Sequence, residues 1–309
     1  MLVCKMRMAS SRLAIPLDTP FHSKHMRVGI MVNPQKPKAA QTVRALRQAL
    51  IARQIQVRLE NTAAALIGEQ EQGLDAVALA QQSDILAVLG GDGTMLAAME
   101  RLGSSAVPVA GINIGTLGFL TSCTHDELDF FADCLVLGAY ELSPRTILQV
   151  RIQQQDGSSC DMVALNEVAL TRGHTGKLVS VAARINGEQI NHYRADGLIV
   201  ATPTGSTGYS LSAGGPLICP DAAVLVITPI CPHSLSYRSL VVSDDVVVNM
   251  QPEAMGEETM HLTVDGRVTL AIGVGTQVQV TKANYRFPLL RLRDRSFFEA
   301  LRQKLGWRG

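Results

Sequence analysis

The chain has 309 residues, with 28 Lys plus Arg against 27 Asp plus Glu, and its formal charge of +1 excludes the one-signed field of a general nucleic-acid or polyanion binder. At about 150 residues per domain, the length predicts about two domains. A composition of 47% hydrophobic and 18% charged residues excludes a mostly disordered chain, and the longest apolar stretch, residues 222–230, is broken by Thr228 and Pro229. A membrane span requires roughly 18 apolar residues in a row.

In chain order, residues 1–25 carry Lys5, Arg7, Arg12 and Lys24 against a single Asp18, with Pro16, Pro20 and several serines. They read as a disordered extension outside the fold, with two origins open: an organelle transit leader, or a start placed too early. Met26 opens the first convincing element. Residues 28–32 read as a strand, and Val43, Leu46 and Leu50 share one helix face. Strand patterns follow at 56–59 and at 85–89, the latter bounded by Ser83-Asp84 and Gly90-Gly91. Met95, Ala98, Met99 and Leu102 give a further helix face, and 107–112 a further strand. Strands alternating with crossovers predict a parallel α/β sheet with right-handed connections over residues 26–140.

Beyond residue 141 the pattern changes to period-two alternation. Asp156-Gly157, Asn186-Gly187 and Asp265-Gly266 separate β-rich runs such as 148–153, 179–185, 189–193 and 268–272. These dipeptides supply the positive φ of tight hairpins, so residues 141–290 are expected to form an antiparallel β-rich domain. Helical spacing returns through Phe298, Leu301 and Leu305, and residues 291–309 are expected to pack back on the first domain. The six cysteines, Cys4, Cys123, Cys134, Cys160, Cys219 and Cys231, have no CxxC or metal-ligand spacing and read as reduced thiols, mostly core filler, in a cytoplasm-like compartment.

Three segments carry candidate chemistry. Gly90-Gly91-Asp92-Gly93-Thr94 joins a strand to a helix, where glycines let a polyanion approach the N-terminal amides. Asp92 would repel phosphate unless it holds a cation or takes a proton; an ordinary strand-to-helix turn is the alternative. Residues 202–216 crowd hydroxyls among glycines, a surface of small donors and acceptors suited to a nucleotide, with Tyr209 able to stack on a ring; a generic Gly/Ser loop is the alternative. Asn166-Glu167 interrupts an apolar run, either as a partnered polar pair or as a sheet-edge pair facing water. Asp196 precedes the hydroxyl-rich segment as an acceptor or a solvated hairpin end.

GGDGT at 90–94, GINIGTLGFL at 111–120, LNE at 165–167, DGLIVATPTGSTGYSLSAGGP at 196–216 and PHSLSYR at 232–238 together resemble the bacterial type of the ATP-dependent NAD kinase family, in the family's order. The Gly-Gly-Asp-Gly loop also resembles that of lipid kinases, whereas the long Thr/Gly/Ser segment with Asn-Glu is highly specific. The resemblance implies a Rossmann-like N-terminal α/β domain, a sandwich-like β domain and a site between them. It implies transfer of the ATP γ-phosphoryl group to the 2′-hydroxyl of the adenosine ribose of NAD, giving NADP. Asp92 matches the catalytic aspartate and Gly93 a residue whose amide touches the dinucleotide. Asn166, Glu167, Thr204, Thr207 and Tyr209 match the surroundings of the adenosine half, with Gly208, Ser210 and Leu211 in the same segment, and Asp196 and Ser212 lie nearer the nicotinamide end. Lys177 and Arg194 stand at positions of nucleotide contacts, and His233 either near the diphosphate or in a structural role.

The resemblance further implies Mg²⁺ or Mn²⁺ on the donor phosphates, with no dedicated metal cage in the sequence. It implies a cytoplasmic homo-oligomer, dimer or tetramer, without nucleic acid or membrane, and leaves polyphosphate open as donor. Two departures stand out: Arg267 where many relatives have Gln, and Gly208 where many have Ala, a swap expected to matter little. A lipid kinase of the diacylglycerol type and a non-catalytic dinucleotide sensor are the alternatives.

Overall fold

A computed structural model describes residues 26–173, 178–253, 260–293 and 295–307, so the leader and Lys177 lie outside the described residues. The first half runs β1 (Arg27–Val32), α1 (Ala39–Ala52), β2 (Gln56–Glu60), α2 (Asn61–Ile67), β3 (Gly73–Leu74), α3 (Ala76–Gln81), β4 (Ile85–Gly90), α4 (Asp92–Leu102), β5 (Val109–Asn113), β6 (Cys123–Thr124) and α5 (Leu128–Leu137). β5, β4, β1, β2 and β3 lie side by side and parallel. β4 is buried along its whole length because both faces are covered. Ile85, Ala87 and Leu89 enter the core under α1 and α5, while Leu86 and Val88 enter the core under α3 and α4. The period-two pattern is present, but both faces are apolar, so it reads as one continuous run.

The second half contains β7 (Tyr140–Gln153), β8 (Ser159–Ala164), β9 (Glu167–Arg172), β10 (Val179–Ile185), β11 (Glu188–Ala195), β12 (Gly197–Ala201), α6 (Tyr209–Ser212), β13 (Val224–Ile230), β14 (Leu240–Ser243), β15 (Val248–Pro252), β16 (Met260–Val264), β17 (Val268–Ile272), β18 (Gln277–Leu292) and α7 (Phe297–Leu305). Six strands, β14-β13-β12-β9-β16-β17, form one antiparallel sheet. It packs on β11-β10-β15-β18 and β7 through a shared core that includes Val150, Leu170, Val181, Leu198, Ile227 and Val280. Asn186 and Asp265 take φ of 51° ahead of their glycines, the left-handed geometry a two-residue hairpin demands.

The two halves share a strand. β18 runs antiparallel to β7 along most of its length and, at Leu289, pairs parallel with Val109 of β5, giving one twelve-stranded sheet. Leu290 and Leu292 complete one core of the first half, and Ile147, Phe287 and Leu289 the other. α7 is capped by Ser296, which accepts the Glu299 amide at 3.0 Å, and its Phe297 ring lies 6.4 Å from that of Phe119 in the first half. Among the described cysteines, Cys123 and Cys134 are buried but Cys160, Cys219 and Cys231 are exposed, so core filling describes only the first two. No helix among the described residues is long and apolar enough to cross a membrane.

Candidate active site

β4 delivers the glycine loop to the C-terminal edge of the parallel sheet, and α4 begins at Asp92 itself. The half-buried Asp92 side chain turns to the segment after β5. Its Oδ2 accepts the Phe119 amide and its Oδ1 the Leu120 amide, both at 3.0 Å. Two fixed donors leave each oxygen with further acceptor capacity, so the carboxylate is oriented without being fully occupied. The close approach requires a glycine at 118, where an added Cβ would stand 2.1 Å from Oδ1. Gly118→Ala is therefore expected to displace Asp92 and lower kcat on the order of 10²-fold with the fold retained, checked by steady-state kinetics beside a melting curve. An unchanged kcat would show that the orientation of Asp92 is immaterial.

Next to this loop lies a cleft of about 300 Å³, bordered by Asn33, Thr62, Gly93, Thr94, Arg101 and Arg267. Arg101 is anchored 2.6 Å from the buried carboxylate of Glu60. Arg267 beside the start of α4, with Arg101 farther along the cleft in the last turn of the same helix, makes this wall receptive to a polyanion.

The second group of residues is built around Asn166-Glu167. Asp265, in the β16–β17 turn, sends its buried carboxylate to three consecutive amides: Leu165 and Asn166 at 2.8 Å and Glu167 at 3.1 Å. Thr202 adds two bonds from the other side, its Oγ1 donating to the Leu165 carbonyl at 2.6 Å and its amide to the Asn166 carbonyl at 2.8 Å. Glu167 lies on β9, inside the sheet between β12 and β16, and is 7% exposed, so a water-facing sheet edge is excluded. Its Oε2 has no partner, while the Tyr209 amide donates to the carboxylate.

Burial first, and the neighbouring Asp265 second, push the Glu167 carboxyl up to about 7. Burial also raises Asp265, but three amide donors favour its anion, so of the two carboxyls Glu167 is the one whose protonated form is more strongly favoured. The unfolded chain ionises this group near its ordinary 4.5, so it binds fewer protons than the folded state between about 4.5 and 7, and stability falls as pH rises through that window. Glu167→Gln is expected to remove this dependence. Its stability relative to the parent should improve by up to about 3 kcal/mol between pH 5 and pH 8 in denaturant titrations. A constant difference across that range would contradict the assignment.

The hydroxyl-rich segment, read from sequence as a surface of small donors and acceptors, has most of its hydroxyls bonded within the protein. Ser206 Oγ donates to the Pro203 carbonyl at 2.7 Å and accepts the Ile218 amide at 3.0 Å, Thr207 Oγ1 donates to the Thr204 carbonyl at 3.0 Å, and Ser210 Oγ meets Thr228 Oγ1 at 2.9 Å. Ser206 and Ser210 are fully buried. These hydroxyls stiffen the loop; among its buried hydroxyls, Thr204 Oγ1 is left without a partner. Leu211 is half-buried, and Ser212 and Tyr209 are exposed. Burial, followed by Cys231, Asp196 and Glu167 nearby, raises the Tyr209 phenol, keeping it a neutral donor within reach of those residues. A methyl at Gly208 would stand 2.8 Å from Glu167 Oε2, the far end of that side chain, so alanine there asks the carboxylate to shift.

Asp196 pairs with Arg172 at 2.9 Å. Arg194 is exposed on β11, and its carbonyl accepts the His233 amide at 2.9 Å. Arg267 is engaged in the glycine loop: Nη1 donates to the Gly93 carbonyl at 3.4 Å, and Nε and Nη2 reach Glu100 at 3.3 and 3.2 Å. Two residues of one turn, Asp265 and Arg267, thus tie the Asn-Glu pair to the loop that carries Asp92. In sequence Asp265-Gly266 reads as a turn, and nothing marks the Gly118–Leu120 amides as donors to Asp92. The aspartate before glycine was visible; the reach of its carboxylate across the sheet was not.

Comparison with known proteins places two family models on the chain: residues 28–140 match the ATP-NAD kinase N-terminal domain and residues 165–292 the ATP-NAD kinase C-terminal domain. The chain is 35% identical over 281 residues to a NAD kinase of Syntrophotalea carbinolica, covering 91% of this chain and 98% of that one. It is 38% identical over 279 residues to a NAD kinase of Moorella thermoacetica, with 90% and 89% covered. Among solved structures, a NAD kinase from Archaeoglobus fulgidus in complex with ATP is similar with a TM-score of 0.70 and 26% identity, covering 92% of this chain and all of that one. Yeast NADH kinase complexed with NADH superposes with a TM-score of 0.83 at 24% identity over 93% of this chain and 89% of that one, a likeness of fold.

Proposed function

Because this chain belongs to the ATP-NAD kinase family and is a kinase, we propose that it transfers the ATP γ-phosphoryl group to the 2′-hydroxyl of the adenosine ribose of NAD, with Asp92 accepting the hydroxyl proton. The observation that carries this reading is the Asp92 carboxylate, oriented by the Phe119 and Leu120 amides beside the basic cleft. Phosphoryl transfer relies mainly on positioning and on neutralising spread-out charge. The start of α4 with Arg267 would receive the donor phosphates, and Arg101, in the last turn of α4, borders the same cleft. The opposite group, Asn166, Glu167, Thr204, Thr207 and Tyr209, would hold the adenosine half. Thr204 Oγ1 and Glu167 Oε2 are buried polar atoms that the protein itself leaves without a hydrogen bond.

A divalent cation, Mg²⁺ or Mn²⁺, belongs to the same proposal. Among the described residues no group of three or more His, Cys, Asp or Glu could hold a metal alone. Mg²⁺ commonly rests on substrate phosphates with one or two carboxylates, and Asp92, with acceptor capacity remaining, fits that part. Bound there, the ion would offset charge on the donor phosphates.

The relatives do not favour the lipid-kinase alternative. The division into residues 26–140 and 141–290, with 291–309 returning to the first domain, a cytoplasmic location and a dimeric or tetrameric state complete the proposal; sedimentation measures the last. The activity is tested by incubating purified protein with NAD, ATP and Mg²⁺ and assaying with an NADP-specific dehydrogenase. NADP formed in step with ADP is the expected result, and ADP released without NADP would overturn it. Parallel reactions with NADH or polyphosphate define the acceptor and donor range.

A further inference from the structure

A smaller cavity, about 30 Å³, lies between the 117–122 segment, β18 and the start of α7. Three arginines line it. Arg145, on β7, is 3% exposed, and its Nε makes no hydrogen bond. Burial first, and the neighbouring Arg291 second, depress its guanidinium to about 10, while Asp221 acts on it only through space. Arg291 donates to the Arg295 carbonyl. Two carboxylates near Arg295 are already engaged: Glu127 pairs with Arg295, and Glu299 lies 3.7 Å from Arg295 and 3.5 Å from Gln303. Neither Arg145 nor Arg291 has a carboxylate within ion-pair distance among the described residues.

A buried guanidinium beside a second cation, with an unpaired donor and no carboxylate within ion-pair distance among the described residues, is costly. Here both face the N-terminal end of α7, which adds positive potential of its own. We propose that this cavity binds a small monovalent inorganic anion of halide size, held between Arg145 and Arg291 at the start of α7. The space suits one water-sized species and is too small for a nucleotide phosphate chain. Gly118 and Phe119 form part of its wall, and the Phe119 amide holds Asp92, so a bound anion would brace the segment that orients the candidate base.

The test is the melting temperature of the full-length protein titrated with sodium chloride, with ionic strength held constant by sodium gluconate, whose anion is too large for the cavity. The parent is expected to show a saturable rise in Tm with chloride. Arg291→Gln should abolish that rise. Arg145→Met should abolish it and also raise Tm in gluconate alone, because the uncompensated buried charge is gone. Equal Tm of the parent in chloride and gluconate, or a chloride response that survives Arg291→Gln, would overturn the proposal. Should Arg145→Met fail to fold, Arg291→Gln decides the question alone.

Discussion

Asp92→Asn is expected to lower kcat by at least about 10²-fold, the low end of what loss of a general base removes, while the dinucleotide still binds. The substitution keeps the size of the side chain and deletes its basicity. It also turns an amide NH₂ toward one of the two donors, so either the Phe119 or the Leu120 N–H loses its acceptor. That loss is worth about 1–3 kcal/mol and is confined to a half-buried loop, so the fold should persist. Turnover and calorimetric dinucleotide affinity, measured together, separate the two effects. Near-normal turnover would remove Asp92 from the chemistry, and lost affinity with unchanged kcat would make it a binding residue.

The largest effect on stability is expected from Asp265→Ala. The carboxylate satisfies the amides of Leu165, Asn166 and Glu167 at once, in a position that is 8% exposed. Each buried N–H left without an acceptor costs about 1–3 kcal/mol, which gives a destabilisation of at least about 3 kcal/mol. The same three residues include the Asn-Glu pair, so KM for the dinucleotide should rise more than kcat falls. Asp265→Asn retains one carbonyl acceptor and should lose less. Denaturant unfolding of the two variants orders them, and a loss below about 1 kcal/mol for alanine would mean that the turn does not support the pair.

What the sequence made legible was local. Residues 28–32 and 85–89 read as strands because Val28, Ile30, Leu86 and Val88 carry no polar interruption, and the residues 95–102 helix face matches the buried Met95, Ala98, Met99 and Leu102 of α4. Short α3, with only six residues and alanine at every second position, offers too little periodicity to detect. The return of β18 to the parallel sheet joins Leu289 to Val109, a pairing no local pattern encodes. The motifs located the candidate site, but not which way its hydroxyls face. Ser206 and Ser210 look the same in sequence as the exposed Ser212, yet they are buried because Ile218 and Thr228 come back over them. Gly205 shows the same limit. An added Cβ there would meet the Asn166 carbonyl at 2.1 Å, a contact between segments far apart along the chain.

The most direct measurement is a crystal structure of the protein with NAD bound. An Asp92 carboxylate oxygen is expected within about 3.2 Å of the adenosine ribose 2′-oxygen, or joined to it through one water, while the Phe119 and Leu120 amides still hold the side chain. A ribose bound elsewhere, with Asp92 beyond the reach of a single water, would contradict it.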